Sequence, residues 1–193
     1  HIECAAMSGK YCDFQLDIHG GGADLTFPHH ENELAQSEAY TGRRFVRHWM
    51  HNGFITIGKA DDDGEGEKMG KSRGNAFRLR DAFAGASPAA LRLWILGTHY
   101  RMPILYKPEL LQQAENALGR IYNCLEELSR RLESAGDAAP EAGKVANAVE
   151  ETVEQFRAAM DDDFNTPQAL AAVYEAVGRS PAGLTDNAPA GGL

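Results

Sequence analysis

The run from Asp17 to Glu33, DIHGGGADLTFPHHENE, constrains this chain more than any other stretch. Just ahead of it and into it, Phe14, Leu16 and Ile18 alternate with Gln15 and Asp17, the period of a strand with one buried face. That pattern leads into Gly20-Gly21-Gly22, read as a loop whose missing side chains let backbone come close to a ligand, although a plain tight turn explains three glycines equally well. In an open α/β sheet ligands sit beyond the carboxyl ends of the strands, so such a loop faces a nucleotide, and Asp24 beside it is placed to accept from ribose hydroxyls. Pro28 suits a first helical turn, where its missing N–H would be unpaired anyway, and the spacing predicts a helix from there through Glu31, Leu34 and Ser37. Residues four apart on a helix share a face, so His29 and Glu33 project side by side. They match two Zn²⁺ ligands presented by a helix, with Cys4 the obvious third, and they equally match an ordinary ion pair on a solvated face.

The remaining sequence sets the limits within which that run must work. At 193 residues the chain can bury a real core in one or two domains, and 43% hydrophobic with 24% charged residues is the composition of a soluble globular protein. A formal net charge of −9 argues against a broad, nonspecific grip on nucleic acid while leaving local basic faces open to an RNA backbone. Cys4, Cys12 and Cys124 are odd in number and lack disulfide-framework spacing, which suits a reducing cytoplasm, and neither a membrane-length apolar run nor a signal peptide is evident. Cys4 precedes Ala5, Ala6 and Met7, a helix start whose dipole would bias a thiol toward thiolate; the alternative for Cys4 is a small buried hydrophobe, the reading given to Cys12.

From Phe45 to Ile57 the chain reads as strand, with His48 and His51 given structural roles around Trp49 and Met50. The acidic stretch from Ala60 to Glu67 reads as a solvated hairpin tip; it lacks the ligand and Gly positions of an EF-hand. In Lys68-Met69-Gly70-Lys71-Ser72 the last three residues imitate the end of a P-loop, which would need Gly at the place held by Glu65. Ser87-Pro88 opens a helix with Leu91, Trp94 and Ile95 on its apolar face. After a break at Pro103 and Pro108, apolar residues from Leu110 through Leu132 step by threes and fours along a long amphipathic helix, with Cys124 packing beside the stripe. A linker from Ser134 to Gly143 follows, then a helical face of Val145, Val149, Phe156 and Met160. Asp161-Asp162-Asp163 reads as an interhelical turn with Asp163 or Asn165 bonding locally, and Thr166-Pro167 opens a further helix.

Taken together and in order, HIEC, HGGG followed by Asp24, FPHHENE, the KMSKS-like KMGKS with Gly70 for Ser, and DDDFNTP resemble the cysteinyl-tRNA synthetases, class I enzymes, up to a point near Val177. The resemblance implies an α/β fold: the C-terminal half of a class I synthetase Rossmann-like catalytic domain over residues 1–105, then an α-helical bundle region that contacts tRNA over 106–178; the Pro, Gly and Ala content of 179–193 reads as a disordered tail. It also implies that the opening His1-Ile2-Glu3-Cys4 is a cut inside a larger protein whose HIGH signature and a further zinc-binding Cys lie upstream, so that catalysis by this chain alone is not expected and unpaired strand edges favour self-association.

The implied activity is two-step. Cysteine attacks the α-phosphorus of ATP, with Mg²⁺, to give cysteinyl-adenylate, and the acyl group then moves to tRNA(Cys). Cys4, His29 and Glu33 would hold one Zn²⁺ that selects the substrate thiol over serine. His19 lies near the aminoacyl group, Gly20, Gly21, Gly22 and Asp24 near the nucleotide, and Lys68 and Lys71 would be the catalytic cations closing over the triphosphate, with Lys71 also binding ATP. No DNA and no membrane partner is expected, the full-length protein would be a cytoplasmic monomer, and Gly70 would make the lysine loop more mobile. Two rivals remain: a cysteine ligase of the mycothiol pathway, disfavoured by Glu33 and DDDFNTP, and a non-catalytic zinc-stabilised tRNA-binding module.

Overall fold

The computed structural model describes residues 1–57, 67–70, 78–83, 85–135 and 142–180. These divide into two compact units, the first holding the described residues up to 57 with 67–69 and 100–105, the second holding the others.

In the first unit, helix α1 (Ile2–Cys12) ends where Asp13 and Phe14 take left-handed backbone, φ 50° and 54°, and turn the chain into strand β1 (Leu16–Gly22). A single 3-10 turn (Ala23–Leu25) and a wide turn (Thr26–His30) lead to helix α2 (Glu31–Thr41), closed by Gly42 at φ 66°, the left-handed position glycine occupies without strain. Strand β2 (Val46–Asn52) then lies parallel to β1, with Leu16 opposite Val46 and Gly22 opposite Asn52. This is a β–α–β unit, the arrangement parallel pairing demands because only a crossover returns the chain to the same end. Phe45, Val46, Ala5 and Ser37 are buried within the unit.

Two expectations change here and a third, the helix opening at Pro28, is kept. The three glycines are strand rather than loop, since Gly20, Gly21 and Gly22 pair with Met50, His51 and Asn52. Ile18 is 61% exposed, because the face it projects from is not covered by any described residues, so the alternation there reports strand period without burial. The helical backbone starts after Phe27, the one non-helical residue of the turn (φ −135°, ψ 135°), so Pro28 does stand at its opening, and His30 is already helical ahead of α2; the Phe27–Pro28 bond is cis.

The extended stretch after Phe45 breaks in two. Strand β3 (Ile55–Ile57) leaves β2 at Gly53 and joins a separate sheet between β4 (Glu67–Lys68), which it pairs antiparallel, and β5 (Ile104–Tyr106). Strand β5 lies between Pro103 and Pro108, where the sequence reads only as a break; its three residues are too few for periodicity to register.

The second unit is helical: α3 (Leu79–Ala82), α4 (Pro88–Leu96), α5 (Pro108–Ala135), α6 (Ala142–Asp161) and α7 (Thr166–Arg179). Leu91 of α4 and Leu111 of α5 are buried against each other, with Ala86, Trp94 and Tyr106 packed around them. The Ser87 hydroxyl accepts from the Ala90 amide at 3.1 Å, and the Ser87 amide donates to Glu115 on α5 at 2.8 Å. Ser87→Ala is expected to lower stability by about 1 kcal/mol, the usual cost of losing an N-cap, read as a shift in the urea midpoint.

Helices α6 and α7 pack on each other, and Ala159 on α6 and Ala169 and Ala172 on α7 are buried. The turn between them takes Asp163 and Phe164 through left-handed backbone (φ 54° and 55°), and Asn165 caps α7 by accepting from the Gln168 amide at 3.3 Å. Val149 and Phe156 are exposed, so the α6 stripe is broader than the surface that α7 covers. Cys124 is buried, its Sγ 3.1 Å from Ser180 Oγ. Arg179 belongs to α7 and the Ser180 amide bonds back to it, which moves the start of the supposed tail; residues 181–193, like the acidic stretch 58–66 and most of the linker after Ala135, lie outside the described residues.

Candidate metal centre

The parallel β1–β2 pair brings its carboxyl ends, Gly20 to Gly22 and Met50 to Asn52, to one edge, and the turn into α2 crosses there. Glu33, in the first turn of α2, is only 1% exposed. A carboxylate withdrawn from water that far needs compensation, because desolvation of an unpaired ion costs several kcal/mol, about. Its two oxygens find different partners: Oε1 lies 3.0 Å from His29 Nε2, and Oε2 lies 3.3 Å from His19 Nε2, an ion-pair distance without hydrogen-bond geometry.

Helix α1 packs against α2 and sets Cys4, in its own first turn, beside the same carboxylate. One donor atom each from Cys4, His29 and Glu33 lie within 4.8 Å of one another. The tertiary structure therefore assembles the three residues that helical spacing alone could only pair. The thiol behaves differently from the helix-dipole expectation: burial first, then the hydrogen bond and negative charge of Glu33, push the Cys4 pKa up. Loss of water and a neighbouring carboxylate both disfavour the charged thiolate. A divalent ion fits this set, since sulfur, imidazole and carboxylate suit Zn²⁺ and a cation would relieve the buried Glu33 oxygen that lacks a hydrogen bond.

Beside this set stand rings of which the sequence reading placed His19 near the aminoacyl group and gave His51 a structural role around Trp49, while His30 had no role of its own. His30 is buried, its Nδ1 2.8 Å from His51 Nε2; His19 stacks on Trp49 at 4.9 Å between centroids, and Trp49 stacks on His51 at 6.0 Å and 6°. Trp49 and His51 stand two apart on β2, so strand period alone puts them on one face, the signal that could have drawn them into the site. Gly21 has a physical reason here: a Cβ on it would stand 2.9 Å from His30 Cε1.

Burial, followed by repulsion from His19, lowers the His30 pKa below the ordinary histidine value. Because the folded form holds that proton less tightly than the unfolded chain, unfolding takes up a proton between the lowered value and about 6.5, and stability falls as pH drops through that window. In the metal-free chain the urea midpoint is expected to decrease on acidification across it, with a smaller decrease in His30→Gln.

Asp24 sits exposed in the 3-10 turn beside the glycines, at the strand ends where the nucleotide was expected. The backbone of Lys68 is in β4, while Lys71 lies outside the described residues.

The first unit is a β–α–β arrangement with a Cys–His–Glu donor set at its strand ends, and comparison with known proteins shows the family to which the chain belongs. The profile described as tRNA synthetases class I (C) catalytic domain matches residues 1–116, and the chain belongs to that family; a DALR domain profile matches residues 155–185. The chain is 50% identical over 177 residues to a cysteine–tRNA ligase of Lactobacillus delbrueckii subsp. bulgaricus, covering 92% of this chain and 36% of the relative. It is 47% identical over 186 residues to that of Pelobacter propionicus, with the same coverage, and 47% identical over 178 residues to that of Thermococcus onnurineus, covering 91% and 36%. The chain thus spans about a third of the length of these relatives. Among solved structures, the ternary complex of Agrobacterium radiobacter K84 agnB2 LeuRS-tRNA-LeuAMS aligns with a TM-score of 0.64 at 18% identity, over 84% of this chain and 22% of that one, a likeness of fold alone. No helix among the described residues is long and apolar enough to cross a membrane.

Proposed function

We propose that this chain is the part of a cysteine–tRNA ligase that selects cysteine and closes on ATP, with residues 1–105 catalytic and 106–178 contacting tRNA(Cys). The observation that carries the reading is Glu33, a buried carboxylate shared with Cys4 and His29 at the carboxyl ends of two parallel strands. Cys4, His29 and Glu33 would hold zinc, which when bound supplies a thiophilic Lewis acid able to distinguish the sulfur of cysteine from the hydroxyl of serine.

The chain's own residues do the rest. Strand β1 presents Gly20, Gly21 and Gly22 without side chains at the edge a nucleotide approaches, and Asp24 accepts from its ribose. His19, held against Trp49 and Glu33, borders the aminoacyl position. Lys68 and Lys71 stabilise negative charge that develops on the α-phosphorus and on the departing pyrophosphate. The cysteine carboxylate attacks the α-phosphorus of ATP, with Mg²⁺ present, and releases pyrophosphate to give cysteinyl-adenylate; a terminal ribose hydroxyl of the tRNA then takes the acyl group and releases AMP.

The test is a graft. With these residues replacing the matched 36% of the Lactobacillus relative, cysteine-dependent ATP–pyrophosphate exchange is expected, with serine ineffective, and with zinc at about one per chain by elemental analysis. Exchange that accepts serine as readily, or a zinc-free active chimera, would remove the thiol-selection reading.

A further inference from the structure

The buried carboxylate of Glu33 belongs to two donor sets. Besides Cys4 and His29 on one side, one donor atom each from His19, His30 and Glu33 also lie within 4.8 Å of one another. The two oxygens divide between them, Oε1 toward His29 and Oε2 toward His19. Oε2 has no hydrogen-bond partner although Glu33 is 1% exposed, and His19 Nδ1 is likewise buried without one. His30 is held by its Nδ1 on His51, and the bare backbone of Gly21 leaves room for its ring. A buried anion facing two oriented imidazoles is a built site, whatever reaction the chain serves.

We propose that His19, His30 and Glu33 form a second, alternate position for a borderline divalent cation such as Ni²⁺, Co²⁺ or Zn²⁺. The position carries no sulfur, so its preference differs from that of its neighbour. Thiophilic Cd²⁺ favours the set with Cys4, whereas Ni²⁺ and Co²⁺ are satisfied by two imidazoles and a carboxylate. The two positions draw on one carboxylate charge. An ion beside Cys4 and His29 therefore weakens the other seat, and removing Cys4 and His29 frees Glu33 for it. A cation seated there would be held by a nitrogen of His19, whose ring stacks on Trp49, and would lack the thiolate of the first position.

The probe is Co²⁺ alone, added to the metal-free full chain under anaerobic conditions. In Cys4→Ser with His29→Asn, Glu33 is kept, and about one Co²⁺ per chain is expected to bind without a thiolate-to-cobalt charge-transfer band. Adding His19→Gln is expected to weaken that binding at least about tenfold, the lower end of what even an outer-shell partner is worth. If the double variant, folded by far-UV circular dichroism, binds no better than the triple variant, the second position does not exist.

A milder variant covers the case in which the double one does not fold. His19→Gln alone should lower Ni²⁺ affinity at least about tenfold and leave Cd²⁺ affinity within about twofold. Equal loss of both ions, or of neither, overturns the proposal. Failure of the zinc reading looks different: the unsubstituted chain would bind Co²⁺ without any thiolate band.

Discussion

Glu33→Gln empties the thiol-bearing metal set while leaving the metal-free chain folded. The amide keeps the volume of the carboxylate at a position that is 1% exposed, so packing changes little, but the negative charge beside Cys4 and His29, which a bound cation would need, is gone. Outer-shell partners of a metal ligand are worth about 10- to 100-fold in affinity, and a ligand that also supplies charge is worth more, so a loss above about 100-fold is expected. The stability readout separates this from simple damage. A bound ion stabilises the native state by mass action, and that increment should vanish in Glu33→Gln. Without metal, the variant no longer buries a charge, and its urea midpoint should equal or exceed that of the unsubstituted chain, as often happens when a buried ion is replaced by a neutral isostere. Cys4→Ala and His29→Ala should lose the same metal-dependent increment. Full zinc content in Glu33→Gln by elemental analysis would mean that Glu33 is only a neighbour of the site.

The second large effect lies in the backbone next to the strands. Gly53→Ala places a Cβ 2.2 Å from the Met102 carbonyl oxygen, 2.4 Å from its carbon and 2.7 Å from Pro103 N. Every obstacle is main chain, so no rotamer change can relieve it, and the Gly53 amide is tied to the Tyr100 carbonyl at 2.7 Å. A loss of about 3 kcal/mol is expected, the upper range for overpacking, with the β3–β5 pairing, where the Ile104 amide donates to the Phe54 carbonyl, the first to yield. Gly42→Ala is the calibrating control. Its Cβ would meet nothing within 4 Å, and only the φ of 66° is unfavourable, so about 1 kcal/mol is expected. Urea midpoints of the two variants should fall in that order; a Gly53→Ala midpoint no lower than that of Gly42→Ala would show that the strands part without cost. Gly9 gives a useful contrast, because the atoms its Cβ would meet belong to the Phe14 ring, which can turn away.

Both positions show where local pattern stops being informative. Gly53 has no motif around it, and the need for glycine comes from residues nearly fifty positions later. Gly20, Gly21 and Gly22 have the opposite history. Their composition suggests a loop, yet pairing with Met50, His51 and Asn52 holds them as strand, because a parallel partner supplies hydrogen bonds whatever the side chains are. Ile18 keeps the alternation of a buried face while standing in the open. His29 and Glu33, four apart, do meet across one helical turn, as their spacing requires.

What the sequence by itself determined about this protein is local and short in range. Ser87 with Pro88 and Asn165 with Thr166-Pro167 start their helices, the apolar stripe of α5 follows from its spacing, and His29 with Glu33 pair at one turn, because caps and helical neighbours act within four residues. The ordered motifs carried the family as well, since their joint order is independent of how the chain folds. Only the tertiary structure decided that Cys4 reaches Glu33, that His19 and His30 form a second donor set on the same carboxylate, and that the Cys4 pKa is pushed up rather than down. Those outcomes depend on burial and on distances between residues far apart in the chain. Desolvation makes a carboxylate seek every donor within reach, and that reach is set by the packing of α1, α2, β1 and β2 rather than by any residue's neighbours in sequence.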